Sequence, residues 1–304
     1  LCPYYLRPST VPQSPMRRFR YQLVNVFVES DTATFGGNPL CVFENAHGMT
    51  DAEMQALAAQ FNLSETTFIL PRDGQHPVVR IFTPGFEMPF AGHPTIGTSF
   101  VANRLGLPGC TGNSLKLNLP VGDIPATFDD GAWTFTANPH TSRASGIATA
   151  DMAAMLGIEA SDFAGEARYV DTGSEQFVVP VASVDVLKRV RPDPALLAKH
   201  VKTKQGRYLA YVVARVAADR FQVRFFFPKD GGMMAEDPGT GSACANLGGY
   251  LLDAGEAVPA RFTVTQGECI NRLNMLQLSL TAERRIRVGG RVLALGEGEI
   301  QLPN

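Results

Sequence analysis

The chain has 304 residues, a length that suits two domains of about 150 residues each. Hydrophobic residues make up 45% and charged residues 18%, below the roughly 25% charge of an average soluble domain, which excludes a disordered chain. Lys and Arg number 27 against 29 Asp and Glu, so the net charge is −2, without the basic excess of a general nucleic-acid binder.

Residues 1–15 carry Pro at 3, 8, 12 and 15 and no apolar h-region, so they read as an upstream extension or expression remnant, not a signal peptide. Tyr21–Val28 is strand-like, Gly36-Gly37-Asn38-Pro39 a loop, and Leu40–Phe43 a second strand. Thr50-Asp51-Ala52-Glu53 forms a capping box, with Met54, Leu57, Ala58 and Phe61 on one face behind it. That predicts a helix over about 51–60, stopped at Asn62. Strands follow from Ser64 to Leu70 and over Val78–Phe82. Gly92-His93-Pro94 then opens a helix with Pro94 at its first position, an apolar face of Ile96, Phe100, Val101 and Leu105, and an end at Gly106.

The second half repeats the pattern. Arg80-Ile81-Phe82-Thr83-Pro84 matches Arg224-Phe225-Phe226-Phe227-Pro228, and Ala91 to Gly97 matches Ala235 to Gly241, all at an offset of 144 without a gap. The offset implies two similar domains, each a curved sheet with a buried helix, the helices starting near 94 and 238. Strands are expected over Ser114–Leu119, Ile124–Phe128, Trp133–Ala137, Gln176–Val181, Tyr208–Val216, Arg261–Gln266, Leu276–Leu280 and Arg285–Leu295. Short helices are expected over Asp151–Leu156 and Pro194–His200. The boundary falls near 125–135, giving domains 16–130 and 131–304. Whether the C-terminal strand crosses to the first domain stays open.

The 5 cysteines, at 2, 41, 110, 244 and 269, are odd in number and form no CxxC. That argues against a disulfide framework or zinc ribbon and suits a reducing cytosol, hence a cytoplasmic location. Nowhere do 18 apolar residues run together, so no membrane span is expected.

Candidate chemistry gathers at the two helix starts. Unpaired N–H groups at a helix N-terminus favour an anion. Two such ends facing each other across a domain interface would hold a small carboxylate. His93 is no natural cap, which favours a functional role. Asp237 reads equally as an N-cap. Ser242 is either a turn hydroxyl or a ligand donor. Glu65, before a strand, is either an exposed edge charge or a partly buried carboxylate whose raised pKa suits proton transfer. No dinucleotide, P-loop or nucleophile-elbow motif is present, and no histidine pair has helical ligand spacing, so no metal is expected. Cys244, one turn into the second buried helix, reads as a small apolar residue.

Together, Asn62-Leu63-Ser64-Glu65-Thr66, Phe82-Thr83-Pro84, Glu87 to Thr95 and Glu236 to Ala243 resemble the PhzF-like phenazine biosynthesis family. The resemblance implies an α+β, diaminopimelate epimerase-like fold: two pseudo-symmetric domains, each a β-barrel-like sheet around a central helix, with the site in the cleft between them. It implies Glu65 as general acid/base, and His93, Asp237 and Ser242 lining the site. Gly92 and Gly241 would supply backbone donors, with Ser64 beside the substrate. The family enzyme for phenazines isomerises trans-2,3-dihydro-3-hydroxyanthranilate, moving a proton from C3 to C1 without cofactor or metal, and members commonly form homodimers.

Related racemases use paired cysteines, but the corresponding positions here, Ala91 and Pro238, hold no thiol, which disfavours a two-thiol mechanism. Gln266 to Leu273 keeps the Gln, Gly and Arg of a family segment but loses its Met, second Gly and Pro. The expected function is cofactor-independent isomerisation of a small carboxylate by Glu-mediated proton transfer. The alternative is a non-catalytic small-molecule binder of the same fold.

Overall fold

The computed structural model describes residues 16–229 and 232–304, so the expected extension at 1–15 lies outside the described residues. The first half runs β1 (Met16–Val28), β2 (Asn38–Phe43), α1 (Asp51–Phe61), β3 (Glu65–Arg72), β4 (Gln75–Phe82), β5 (Glu87–Met88), α2 (Gly92–Arg104), β6 (Ser114–Leu119), β7 (Gly122–Asp129) and β8 (Ala132–Thr136). The second runs β9 (Thr141–Ala144), α3 (Thr149–Leu156), β10 (Arg168–Asp171), β11 (Glu175–Val181), α4 (Val184–Arg189), α5 (Pro194–His200), β12 (Ala210–Ala217) and β13 (Arg220–Lys229). It closes with β14 (Met233–Asp237), α6 (Gly241–Asp253), β15 (Ala260–Gln266), β16 (Asn274–Leu280) and β17 (Ile286–Pro303).

The pairings establish the duplication. β2–β3 is parallel, β3–β4 and β4–β5 are antiparallel, and β4–β6 is parallel. β11–β12, β12–β13, β13–β14 and β13–β15 repeat that sequence of directions. Each half wraps its strands around one helix, α2 or α6. Ten residues of each 13-residue helix are buried, including small ones that admit the surrounding sheet. Residues of both helices belong to one continuous apolar core running from Val24 to Val288. The C-terminal strand does cross over: β17 pairs with β16 and β8 through Ile286–Gly290, then with β1 from Arg291 to Pro303.

Local signals explain the first lobe's path into the site. Thr50 and Glu53 form the predicted reciprocal cap, and Asn62 ends α1 in the left-handed conformation, its N–H on the Ala58 carbonyl. β3 starts three residues later, so Glu65 stands at the mouth of a strand that pairs with β2 at Leu40.

The gapless offset does not survive. It holds at 144 through β4 and β13, where Thr66 pairs with Phe82 and Ala210 with Phe226. Four residues, 83–86, then close the first hairpin between Phe82 and Glu87, whereas nine, 227–235, separate Phe226 from Glu236. Beyond these hairpins the offset is 149. α6 therefore starts at Gly241 rather than near 238, and α2 starts at Gly92, which makes Pro94 its third residue. Asp237 is the last residue of β14, not an N-cap. Its counterpart is Met88, and the counterpart of His93 is Ser242. The positions flanking the helix starts are Ala91 and Thr240, not Ala91 and Pro238, and neither is a thiol. Among the described residues no helix is long and apolar enough to cross a membrane.

Candidate active site

The N-termini of α2 and α6 meet end to end. A Cβ added at Gly92 would stand 3.0 Å from the Cα of Gly241 and 3.1 Å from the Ser242 nitrogen. One added at Gly241 would stand 3.2 Å from the Cα of Gly92. A side chain at either place would force the facing backbone to give by a few tenths of an ångström, so glycine allows the closest approach. Neither Ala91 nor Thr240 caps its helix with a side chain, so the first-turn N–H groups of both helices converge on one spot. Gly97, by contrast, packs against Leu40 and Val26 inside the first lobe, not at the interface.

Around that spot the structure gathers Ser64, Glu65, His93 and Asp237. Glu65 Oε2 lies 3.2 Å from His93 Nδ1. Neither Glu65 Oε2 nor His93 Nε2 has a hydrogen-bond partner among the described residues, although both atoms are buried. Buried polar groups are ordinarily hydrogen-bonded, so the open atoms of this pair stand out among the groups of the cleft. Asp237 is held firmly. Its Oδ1 accepts from Asn38 Nδ2 at 3.3 Å and its Oδ2 accepts from the Thr240 hydroxyl, while the Gly239 N–H and the Ser64 hydroxyl lie near enough to favour its charged form. Asn38 Nδ2 donates as well to the Gly239 carbonyl at 3.0 Å, fixing the amide between the lobes.

Electrostatics separate the three groups. Burial, with the negative charge of Asp237 beside it, pushes the Glu65 carboxyl up to about 8. The side chain keeps 15% of its surface open, a narrow window onto the cleft. Burial pushes the His93 imidazole down to about 3, against a contact with the Pro39 carbonyl, so the ring is neutral at physiological pH. Burial raises Asp237 too, opposed by the donors around it. No Lys or Arg pairs with either carboxylate among the described residues, which leaves the helix termini as the local source of positive potential.

Sequence reasoning missed several supports. Asn38 is fully buried at the start of β2, a polar residue leading an apolar strand. Gln266 donates from Nε2 to the Asp237 carbonyl at 2.8 Å and to the Thr240 hydroxyl at 2.9 Å, and accepts the Thr240 N–H. Its neighbour Gly267 is left-handed, and Arg272 closes back onto the Gly267 carbonyl, so the altered 266–273 segment still makes a tight turn. Ser242 is held by Gln176, a contact that spacing could not show. A broader surface depression of about 740 Å³, lined by Lys188, Arg191, Glu236 and Cys269 among others, contains none of the expected site residues.

Comparison with known proteins places these features in context. A family model described as phenazine biosynthesis-like protein matches residues 24–298. An uncharacterized isomerase of Pasteurella multocida is 39% identical, the match covering 94% of this chain and 95% of that protein. The trans-2,3-dihydro-3-hydroxyanthranilate isomerase of Pseudomonas fluorescens is 31% identical, covering 93% and 99%. Among solved structures, a Bacillus anthracis phenazine biosynthesis protein of the PhzF family superposes with a TM-score of 0.82 at 23% identity, over 94% of this chain and 100% of that one. A hydroxyproline epimerase from Agrobacterium vitis superposes with a TM-score of 0.60 at 13% identity, over 95% and 94%. The shared architecture is the diaminopimelate epimerase-like fold.

Proposed function

The chain belongs to the phenazine biosynthesis-like family, a family of isomerase activity, and from that premise we propose that it moves a proton within a small cyclic carboxylate by means of Glu65, without a cofactor. The observation that carries the reading is a buried carboxyl 3.2 Å from a buried imidazole, beside two facing helix N-termini that would hold an anion.

The steps follow from the cleft. The substrate carboxylate sits against the N–H groups of Gly92 and Gly241 and the Ser242 hydroxyl, where the helix termini favour negative charge. Glu65, when ionised, takes the proton from C3. The electron pair of that C–H bond delocalises through the conjugated ring toward C1, and the newly formed carboxylic acid returns the proton there. Bonds and charge balance without any further reactant. A carboxyl whose two protonation states are close in free energy near the working pH suits both half-steps. Neutral His93 presents Nδ1 to the Glu65 carboxyl at 3.2 Å and accepts from it when Glu65 carries the proton. Asp237, fixed by Asn38 and Thr240, faces the substrate from the other lobe and keeps Glu65 basic through its charge.

The test uses trans-2,3-dihydro-3-hydroxyanthranilate in D₂O, followed by proton NMR, with Glu65→Gln alongside. Conversion by the wild type alone, with less than full deuterium at the new C–H, supports the reading. Absence of conversion by the wild type would remove this substrate, and conversion by both would remove Glu65.

A further inference from the structure

Ser242 stands on the α6 side of the cleft, and a chain of buried amides reaches it from behind. Thr172 donates from Oγ1 to Asn246 Oδ1 at 2.7 Å. Asn246 Nδ2 donates to the Ser174 carbonyl at 2.8 Å and to Gln176 Oε1 at 2.5 Å. Gln176 Nε2 then donates to Ser242 Oγ at 2.9 Å. Thr172, Gln176 and Asn246 are all buried, so water does not compete for these bonds.

The direction of the chain is fixed at one point. A backbone carbonyl only accepts, so the atom of Asn246 facing Ser174 must be the nitrogen. Flipping that amide would set oxygen against oxygen at both Ser174 and Gln176. Gln176 is thereby bound to present oxygen to Asn246 and nitrogen to Ser242. The serine oxygen is an acceptor within the protein, and its single hydrogen remains to be donated elsewhere. In α2, Thr95 and Ser99 spend their hydroxyl hydrogens on carbonyls four residues back, at 2.8 Å each. The Ser242 hydrogen has no acceptor among the described residues, and the side chain is only partly buried.

We infer that Gln176, oriented by Asn246 and Thr172, is a positioning residue that commits the Ser242 hydroxyl to donate into the cleft. It sets the Ser242 hydroxyl as a donor beside the helix N–H groups, a combination that selects a carboxylate over its neutral amide. The inference rests on the proposed use of the cleft for a carboxylate, but not on the identity of the substrate or on turnover.

Gln176→Glu tests it with little change of shape. The new carboxylate still accepts from Asn246, but its second oxygen competes for the Ser242 hydrogen. Affinities for anthranilate and for 2-aminobenzamide, stable probes differing in one group, are measured by calorimetry at neutral pH. The proteins are wild type, Gln176→Glu, Gln176→Met, Ser242→Ala and Gln176→Glu/Ser242→Ala. The wild type is expected to prefer the acid about tenfold or more, the range for a hydrogen bond to a charged group. Gln176→Glu should lose about tenfold for the acid and less than twofold for the amide. Gln176→Met, which frees the serine without reversing it, should lose less than Gln176→Glu, an order that simple loss of packing would invert. In the Ser242→Ala background Gln176→Glu should add nothing. An equal loss in that background, an equal loss for both probes, or no acid preference in the wild type would overturn the inference. If Gln176→Glu melts too low to assay, Gln176→Met made in the wild-type and in the Ser242→Ala backgrounds decides: an acid loss from Gln176→Met that is equally large without the serine hydroxyl overturns it. Should the binding pattern hold while trans-2,3-dihydro-3-hydroxyanthranilate is not converted, the substrate reading fails and this inference stands.

Discussion

Glu65 and Leu209 hold equivalent places in the two repeats, each one residue before the strand pair Thr66–Phe82 or Ala210–Phe226, and only Glu65 ionises. Leu209 is buried in the apolar core. The same asymmetry recurs beside them, with His93 opposite Ser242 and Met88 opposite Asp237. The duplicated scaffold thus carries Glu65 and His93 on one repeat and faces them with the carboxylate of Asp237 and the hydroxyl of Ser242 on the other. A single base on one side of the cleft fits a proton that leaves and returns on the same face.

Glu65→Gln should therefore lower turnover by about 10³-fold, within the range that acid–base groups contribute, and leave the far-ultraviolet circular dichroism unchanged. A rate within tenfold of wild type would take the proton transfer away from Glu65.

The rate should also report the Glu65 ionisation. In the proposed mechanism the carboxylate form abstracts the proton, so kcat/KM should rise with pH through about 8. Asp237 raises that value by its charge, so Asp237→Asn should move the rising limb to lower pH. A limb that stays in place in Asp237→Asn would break the coupling.

Stability carries the same signature with the opposite sense. Glu65 titrates near 8 in the folded chain and ordinarily near 4.5, so the folded state holds the extra proton between these values. The resulting stabilisation is complete below about pH 4.5 and is lost as pH rises through about 8. Glu65→Gln cannot ionise and avoids this loss. Urea unfolding should find the two proteins alike near pH 4.5 and the variant more stable at pH 8.5, by up to about 5 kcal/mol. A wild type that is equally stable at both pH values relative to the variant would show that ionised Glu65 is not penalised by burial.

Gly92→Ala should act through the backbone. The new methyl would press on Gly241 Cα and Ser242 N, atoms that cannot rotate away, so the helix termini must part. The expected cost is about 1–3 kcal/mol of stability, together with a KM raised by about tenfold while Glu65 chemistry continues. An unchanged KM would show that the helix termini do not hold the substrate.

Much of this was legible in the residues, and the part that was not has a physical cause. The capping box at Thr50 and Glu53 depends on neighbours three apart, so it could be read directly and it formed. The duplication was visible at Arg80 and Arg224, because both strands keep the same pattern. Its continuation misled: Ala91, Pro94 and Gly97 coincide with Ala235, Pro238 and Gly241 at the old offset although the second hairpin is longer by five residues. Chance identities concealed a loop insertion whose length only strand pairing reveals. The expected residues Ser64, Glu65, His93 and Asp237 do lie together, but Asn38, Gln176 and Gln266 bond across 199, 66 and 29 positions of chain. Side-chain bonds between such distant positions leave no periodicity to detect.

The course of β17 bears on how the molecule can come apart. It is woven beside β8 and β16 at one end and runs along all of β1 at the other, where Met16 faces Pro303. Removing it would strip a partner from three strands and expose raw sheet edges that invite aggregation. A halved gene would thus yield two incomplete fragments, and heat or denaturant should melt the lobes in one concerted transition, since neither can let go of the shared ribbon first.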